Sequence, residues 1–232
     1  MATRLDGRLP NQLRPLSTEP AALCRADGSA RYGHDRTQVI CSVYGPCEAK
    51  RARERPDGAA IEVIVRPRAG MPGPVEREME QLLAQTLAHL IITAALPRAA
   101  ISVVVQVLAD EGSLLAAAIG GVCVALMHSG VPLRGVLGAC TVAILPDGGA
   151  LLDPCAEEER EATAVATLAY LMREGADGSP SRQMLLSHMR GTTTQAEYGL
   201  CAQAAEQAVS CVADFYRTAF ERSTAPLAPQ AA

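Results

Sequence analysis

Ile101-Ser102-Val103-Val104-Val105-Gln106-Val107-Leu108, followed by Asp110-Glu111-Gly112-Ser113 and then by the apolar run from Leu114 to Met127, is the stretch that decides the fold. The first eight residues are rich in β-branched side chains and nearly continuous in hydrophobicity, which predicts a strand covered on both faces. Glu111-Gly112-Ser113 then opens a helix of Leu, Ala, Ile and Val, with Ser113 available as its cap. Ser129-Gly130 supplies a C-terminal stop.

Working outward from this strand–helix pair, the upstream half reads as strands and one further helix. Asp27-Gly28-Ser29 turns into a short strand, and Thr37-Gln38-Val39-Ile40-Cys41-Ser42-Val43-Tyr44 forms another, broken by Gly45-Pro46. Ala60-Ile61-Glu62-Val63-Ile64-Val65-Arg66 is a third, stopped by Pro67. Met79, Leu82, Leu83, Thr86, Leu87, Leu90 and Ile91 make one stripe on a 3.6-residue period, a helix closed by Pro97. Downstream, residues 136–145, 164–171 and 184–189 read as strands, with a turn at Asp147-Gly148-Gly149 and a loop over 175–180. A long final helix buries Cys201, Ala204, Ala205, Ala208, Val212, Phe215 and Tyr216. These elements predict one α+β domain over residues 12–222, a mixed sheet with helices packed on it, and flexible termini at 1–11 and 223–232.

Composition narrows the function classes. The chain has 232 residues, 49% of them hydrophobic and 20% charged, enough for a sizeable core and incompatible with wholesale disorder. Two Phe, five Tyr and no Trp argue against recognition of bases by aromatic stacking. The net charge of −4 is uneven: residues 1–98 carry 14 basic and 11 acidic side chains, and residues 99–232 carry 7 and 14. The densest basic stretch is Lys50-Arg51-Ala52-Arg53-Glu54-Arg55 with Arg66 and Arg68, either a solvated loop or a surface for phosphate backbones. Eight cysteines show no CxxC spacing, so they read as small hydrophobes rather than a disulfide or zinc framework. No signal core or membrane span is legible, and the expectation is a reduced, intracellular, soluble protein.

Several blocks then carry a resemblance. Arg25-Ala26-Asp27-Gly28-Ser29-Ala30, Thr37-Gln38-Val39, Val43-Tyr44-Gly45-Pro46-Cys47-Glu48, Glu62-Val63-Ile64-Val65-Arg66-Pro67-Arg68, Asp110-Glu111-Gly112-Ser113-Leu114-Leu115 and Leu151-Leu152-Asp153-Pro154 resemble the RNase PH family in content and order. Within the family the likeness is to ring subunits of the eukaryotic RNA exosome. The resemblance implies a ribosomal protein S5 domain 2-like fold and a six-membered ring of related RNase PH-like subunits with RNA-binding cap subunits. RNA would pass through the ring channel, supporting 3′-to-5′ processing and degradation that includes rRNA maturation and surveillance. It implies residence in nucleus, nucleolus and cytoplasm; from the residues themselves no membrane partner, cofactor or metal is expected.

Active members of the family cleave RNA by phosphorolysis, in which inorganic phosphate attacks the terminal 3′ linkage and a nucleoside diphosphate leaves. The phosphate pocket sits at a helix N-terminus, where free N–H groups favour an anion, and an arginine follows the Gly-Thr/Ser pair. Here Gly112-Ser113 is followed by Leu114-Leu115, so these residues read as a remnant of the phosphate site. Asp153 matches the first family aspartate, while the expected place of the second, residues 162–165, holds no acid. The run at Glu157, Glu158, Glu159 and Glu161 reads as a solvated acidic turn. The RNA-holding positions of the first helix fall at Gln81, Gln85 and Ala88, leaving Arg66, Arg68 and Arg77 as RNA-contact candidates. The four histidines (34, 89, 128 and 188) form no pair, and His128 reads as a helix cap.

The expectation is therefore a non-catalytic ring subunit, able to pair with itself when isolated. Two alternatives stay open: a homodimeric nuclease outside the exosome, phosphorolytic or using Asp153 and the glutamates with a divalent metal, and a non-catalytic nucleic-acid-binding homodimer.

Overall fold

The structure is a computed structural model that describes residue 4, residues 6–174 and residues 180–224. In chain order its elements are Leu16–Pro20 (β1), Gly28–His34 (β2), Thr37–Glu48 (β3), Ala60–Arg66 (β4), Pro74–Leu90 (α1), Ala99–Ala109 (β5), Leu114–Ser129 (α2), Val136–Ile144 (β6), Ala150–Leu152 (β7), Ala156–Glu161 (α3), Ala164–Glu174 (β8), Pro180–Gly191 (β9) and Gln195–Thr224 (α4). The α+β expectation holds, but the strands form two sheets rather than one. A five-stranded sheet runs β1-β2-β3-β5-β4, and a four-stranded sheet runs β7-β6-β8-β9. Only β4 and β5 pair in parallel, which requires the crossover that α1 provides.

Helix α2 lies between the sheets and touches β2 and β3 of one and β6 and β8 of the other. Every residue from 116 to 126 is buried. A helix apolar on all sides can only sit in such a place. Its small residues let both sheets approach: a Cβ added at Gly120 would stand 2.6 Å from the Tyr32 ring and 2.8 Å from the Tyr216 hydroxyl. This packing accounts for the scarcity of aromatics. Tyr32 of β2 meets Phe215 and Tyr216 of α4 edge-on.

Several sequence expectations change. In β5, Ile101, Val103, Val105 and Val107 are buried while Ser102, Val104 and Gln106 are half-buried, so only one face is fully covered. Strand β3 does not stop at Gly45-Pro46 but continues to Glu48 across a cis peptide and a register shift between Tyr44 and Cys47. Helix α1 begins with Pro74 at its first position, and Glu76 accepts the Gly73 N–H at 2.7 Å. It ends at Leu90, well before Pro97, because Ile91 turns extended and pairs with Leu133. The glutamate run forms the short helix α3, not a solvated turn. The N-terminal segment expected to be free is anchored: the Arg4 side chain is 1% exposed. The loop expected at 175–180 lies outside the described residues except for Pro180, and of the C-terminal tail only Ser223 and Thr224 are described, as the last residues of α4.

Candidate functional site

The N-terminus of α2 is set by a turn that other elements bolt in place. Thr37 Oγ1 donates to Gly112 O at 2.7 Å and accepts the Glu111 N–H at 3.0 Å. The Arg14 guanidinium donates to Glu111 O and Gly112 O, both at 3.1 Å. Gly112 has φ +94°, and a Cβ there would stand 2.7 Å from the backbone of Cys155 and Ala156. Only glycine fits. Ser113 follows in the left-handed region at φ 57°. It occupies the cap position without capping: its hydroxyl donates to Pro154 O at 3.0 Å, across to the loop before α3. The cap expected from the sequence comes instead from Glu159, whose Oε1 accepts the Ser113 N–H at 2.6 Å.

A cavity of about 140 Å³ opens in front of this turn, between α1 and β9. Its apolar lining is Val75, Met79, Leu82, Leu114 and Leu115. Its ionisable lining is Glu78, Asp110 and Glu159 on one side and His188 and Arg190 on the other. His188 Nε2 lies 3.2 Å from Glu78 Oε1, and Arg190 Nη2 donates to Glu159 Oε2 at 3.3 Å. A second, more open cavity of about 440 Å³ shares Asp110, Glu159 and Arg190 and continues along residues 162–165 of the α3–β8 junction. Burial pushes the Glu159 carboxyl above its ordinary range, against the pull of the Ser113 N–H and Arg190. Three acidic side chains against one guanidinium in a largely aliphatic lining disfavour an anion.

Asp153, expected as a remnant of the catalytic pair, lines neither cavity. It is 0% exposed. Oδ1 accepts from Arg14 Nη2 at 2.7 Å and faces His34 Nδ1 at 3.2 Å, and Oδ2 accepts from the Arg14 backbone N–H at 2.9 Å and Nε at 3.0 Å. Its backbone carbonyl accepts from Arg4 at 3.1 Å and Arg8 at 3.2 Å. Three arginines of one N-terminal segment thus converge on a single residue. Burial would raise the Asp153 carboxyl, but the hydrogen bonds from His34 and Arg14 outweigh it and hold it far below the usual carboxylate range. With these bonds made, Asp153 is a structural hub and not a free metal ligand.

The other expected residues scatter. Glu158 is buried on Arg4, whereas Glu157 and Glu161 face solvent. Among the described residues no group of three or more His, Cys, Asp or Glu is placed to hold a metal ion. Gln81, Gln85 and Ala88 lie on the exposed face of α1. Arg66, Arg68 and Arg77 are exposed and line neither cavity. In the basic 50–68 segment, β4 lies between the Lys50–Arg55 stretch and Arg66 with Arg68, and Arg53 is paired with Glu62 on that strand. His128 does not cap its helix; its Nδ1 accepts the Ser29 N–H at 3.4 Å. The sequence reading missed Asp110, His188 and Arg190. Strand pairing is what brings Arg190 in, opposite Val165, at the place where a second acid was sought.

Comparison with known proteins agrees with this frame. Residues 12–132 match the model of the RNase PH family, described as "3' exoribonuclease family, domain 1". The chain is 34% identical over 231 residues to the exosome complex exonuclease RRP46 homolog of Arabidopsis thaliana, covering 95% of this chain and 97% of that one. It is 32% identical to the exosome complex component Rrp41 of Methanopyrus kandleri, over 90% of this chain and 88% of that one. The crystal structure of rice (Oryza sativa) Rrp46 superposes with a TM-score of 0.84 at 36% identity, covering 93% of this chain and 99% of the other. The Archaeoglobus fulgidus exosome with RNA bound to its active site superposes with a TM-score of 0.76 at 18% identity, over 92% of each chain, a likeness of fold.

Proposed function

The chain belongs to the RNase PH family, and from that premise we propose that it is a ring subunit of an RNA exosome whose own phosphorolytic site is silent. It would pair with related RNase PH-like subunits, support cap subunits, and line part of a channel through which RNA is drawn for 3′-to-5′ processing. The plant relatives are named as exonucleases, so silence rests on this chain's own residues. The observation that carries it is the seat at the start of α2: Leu114 and Leu115 supply no charge, and a carboxylate already holds the Ser113 N–H. A charge-assisted bond to phosphate contributes about 1.5–3 kcal/mol. The basic side chains of the lining do not replace it, because Arg190 is engaged with Glu159 and His188 faces Glu78.

Arg66, Arg68 and Arg77 would meet RNA phosphates as the strand passes the end of α1, holding it without reading its sequence. The metal-dependent alternative is not favoured, since Asp153 and Glu158 are both consumed by arginines. Nuclear, nucleolar and cytoplasmic residence would follow from the assembly. Affinity purification of the tagged chain from its own cells tests ring membership. Co-recovery of several related RNase PH-like subunits is expected, and recovery only as a free homodimer would overturn the reading.

A further inference from the structure

The residue that closes the α2 seat is itself held from behind. Arg4 donates to both carboxylate oxygens of Glu158, at 2.8 and 2.7 Å, and to Leu152 O at 2.9 Å and Asp153 O at 3.1 Å. Glu158 in turn accepts the Cys155 N–H at 2.9 Å, which fixes the first turn of α3. The next residue is Glu159. Its side chain, 18% exposed, reaches across to Ser113 and Arg190. The first N–H groups of a helix and a neighbouring guanidinium are the donors an incoming oxyanion would use. Here one carboxylate of the chain holds the first of those N–H groups, that of Ser113, together with the Arg190 guanidinium.

We propose that Glu159 is a built-in anion, seated on the α2 N-terminus by a strap that runs from Arg4 through Glu158, and that it closes this seat to phosphate. The inference rests on the silent-site reading and adds a second cause to it: the missing arginine removes affinity, and the chain's own carboxylate removes access. Taking Glu159 away frees Ser113 N–H and Arg190 together, with Arg160 on the rim of the adjoining cavity and Asp110 as the remaining acid shared by both cavities. Releasing the strap at Arg4 would loosen the same contact less completely.

The test is titration calorimetry of the full chain with inorganic phosphate in a phosphate-free buffer at neutral pH. Glu159→Ala is expected to bind phosphate about tenfold or more tightly than the parent, the scale of one charge-assisted hydrogen bond. Glu159→Gln keeps the fold-preserving acceptor on Ser113 while losing the charge, and is expected to show a smaller gain in the same direction. Arg4→Ala is expected to gain weakly. Folded Glu159→Ala and Glu159→Gln that both bind phosphate no more tightly than the parent would overturn the proposal. Nucleoside diphosphate release by the parent, measured alongside, would instead overturn the silent-site reading, so the two failures are distinguishable.

Discussion

The guanidinium of Arg14 and the carboxylate of Asp153 are joined at 2.7 Å with 4% and 1% of their side chains exposed. One pair therefore ties the N-terminal segment to the β7–α3 loop and, through Gly112 O, to the start of the central helix. Breaking it strands a buried charge. Arg14→Ala is expected to destabilise the chain by about 3–5 kcal/mol. Arg14→Met with Asp153→Asn, which removes both charges, is expected to cost less than Arg14→Ala alone. Urea unfolding of the three proteins checks this, and equal stability of Arg14→Ala and the parent would contradict it.

The same pair sets the acid sensitivity of the fold. Asp153 is held below its ordinary value of 3.8, so on acidification the unfolded chain takes up a proton that the native chain does not. Its contribution is full above 3.8 and is lost as pH falls below that toward the native value. Glu158, lowered by Arg4 against the effect of burial, acts in the same direction from 4.5. Glu159 is raised and acts oppositely, so its cost is relieved as pH falls toward 4.5. Stability measured from pH 7 to pH 2 should therefore drop mainly below about 4. Asp153→Asn should flatten that drop; an unchanged acid limb in the variant would remove Asp153 as its source.

If Arg66, Arg68 and Arg77 contact RNA phosphates, their loss should weaken binding uniformly across sequences. In the assembled ring, Arg66→Ala with Arg68→Ala and Arg77→Ala is expected to lower the slope of log affinity against log salt by about 0.7 per contact removed, the value for a single strand. Filter binding with two unrelated single strands, at several salt concentrations, measures it. A slope equal to that of the unaltered ring would show that these arginines face away from the RNA.

The sequence made the elements legible where periodicity is strong. The α1 stripe, the β-branched run of β5 and the alanine-rich α2 all form where their patterns place them. Contacts between distant residues were not legible. Nothing local marks Arg4 as the partner of Glu158, 154 positions away, or Arg190 as a neighbour of Glu159. Asp153 sat in a family block and looked chemical. Its burial depends on Arg14 and His34 arriving from other elements. The leucines at 114 and 115 were readable because a missing charge next to a helix start needs no tertiary information. The substitute cap from Glu159 was not, because the serine at 113 fits the capping pattern locally and only its left-handed backbone turns the hydroxyl toward Pro154.

Phosphorolysis by the purified chain tests most directly the proposed silent site in a ring-forming subunit. The chain is incubated with RNA, inorganic phosphate and magnesium, and nucleoside diphosphate is quantified against a no-protein control. The proposed silent site predicts no release above that control at any phosphate concentration. Robust, phosphate-dependent release of nucleoside diphosphate from the 3′ end would contradict it.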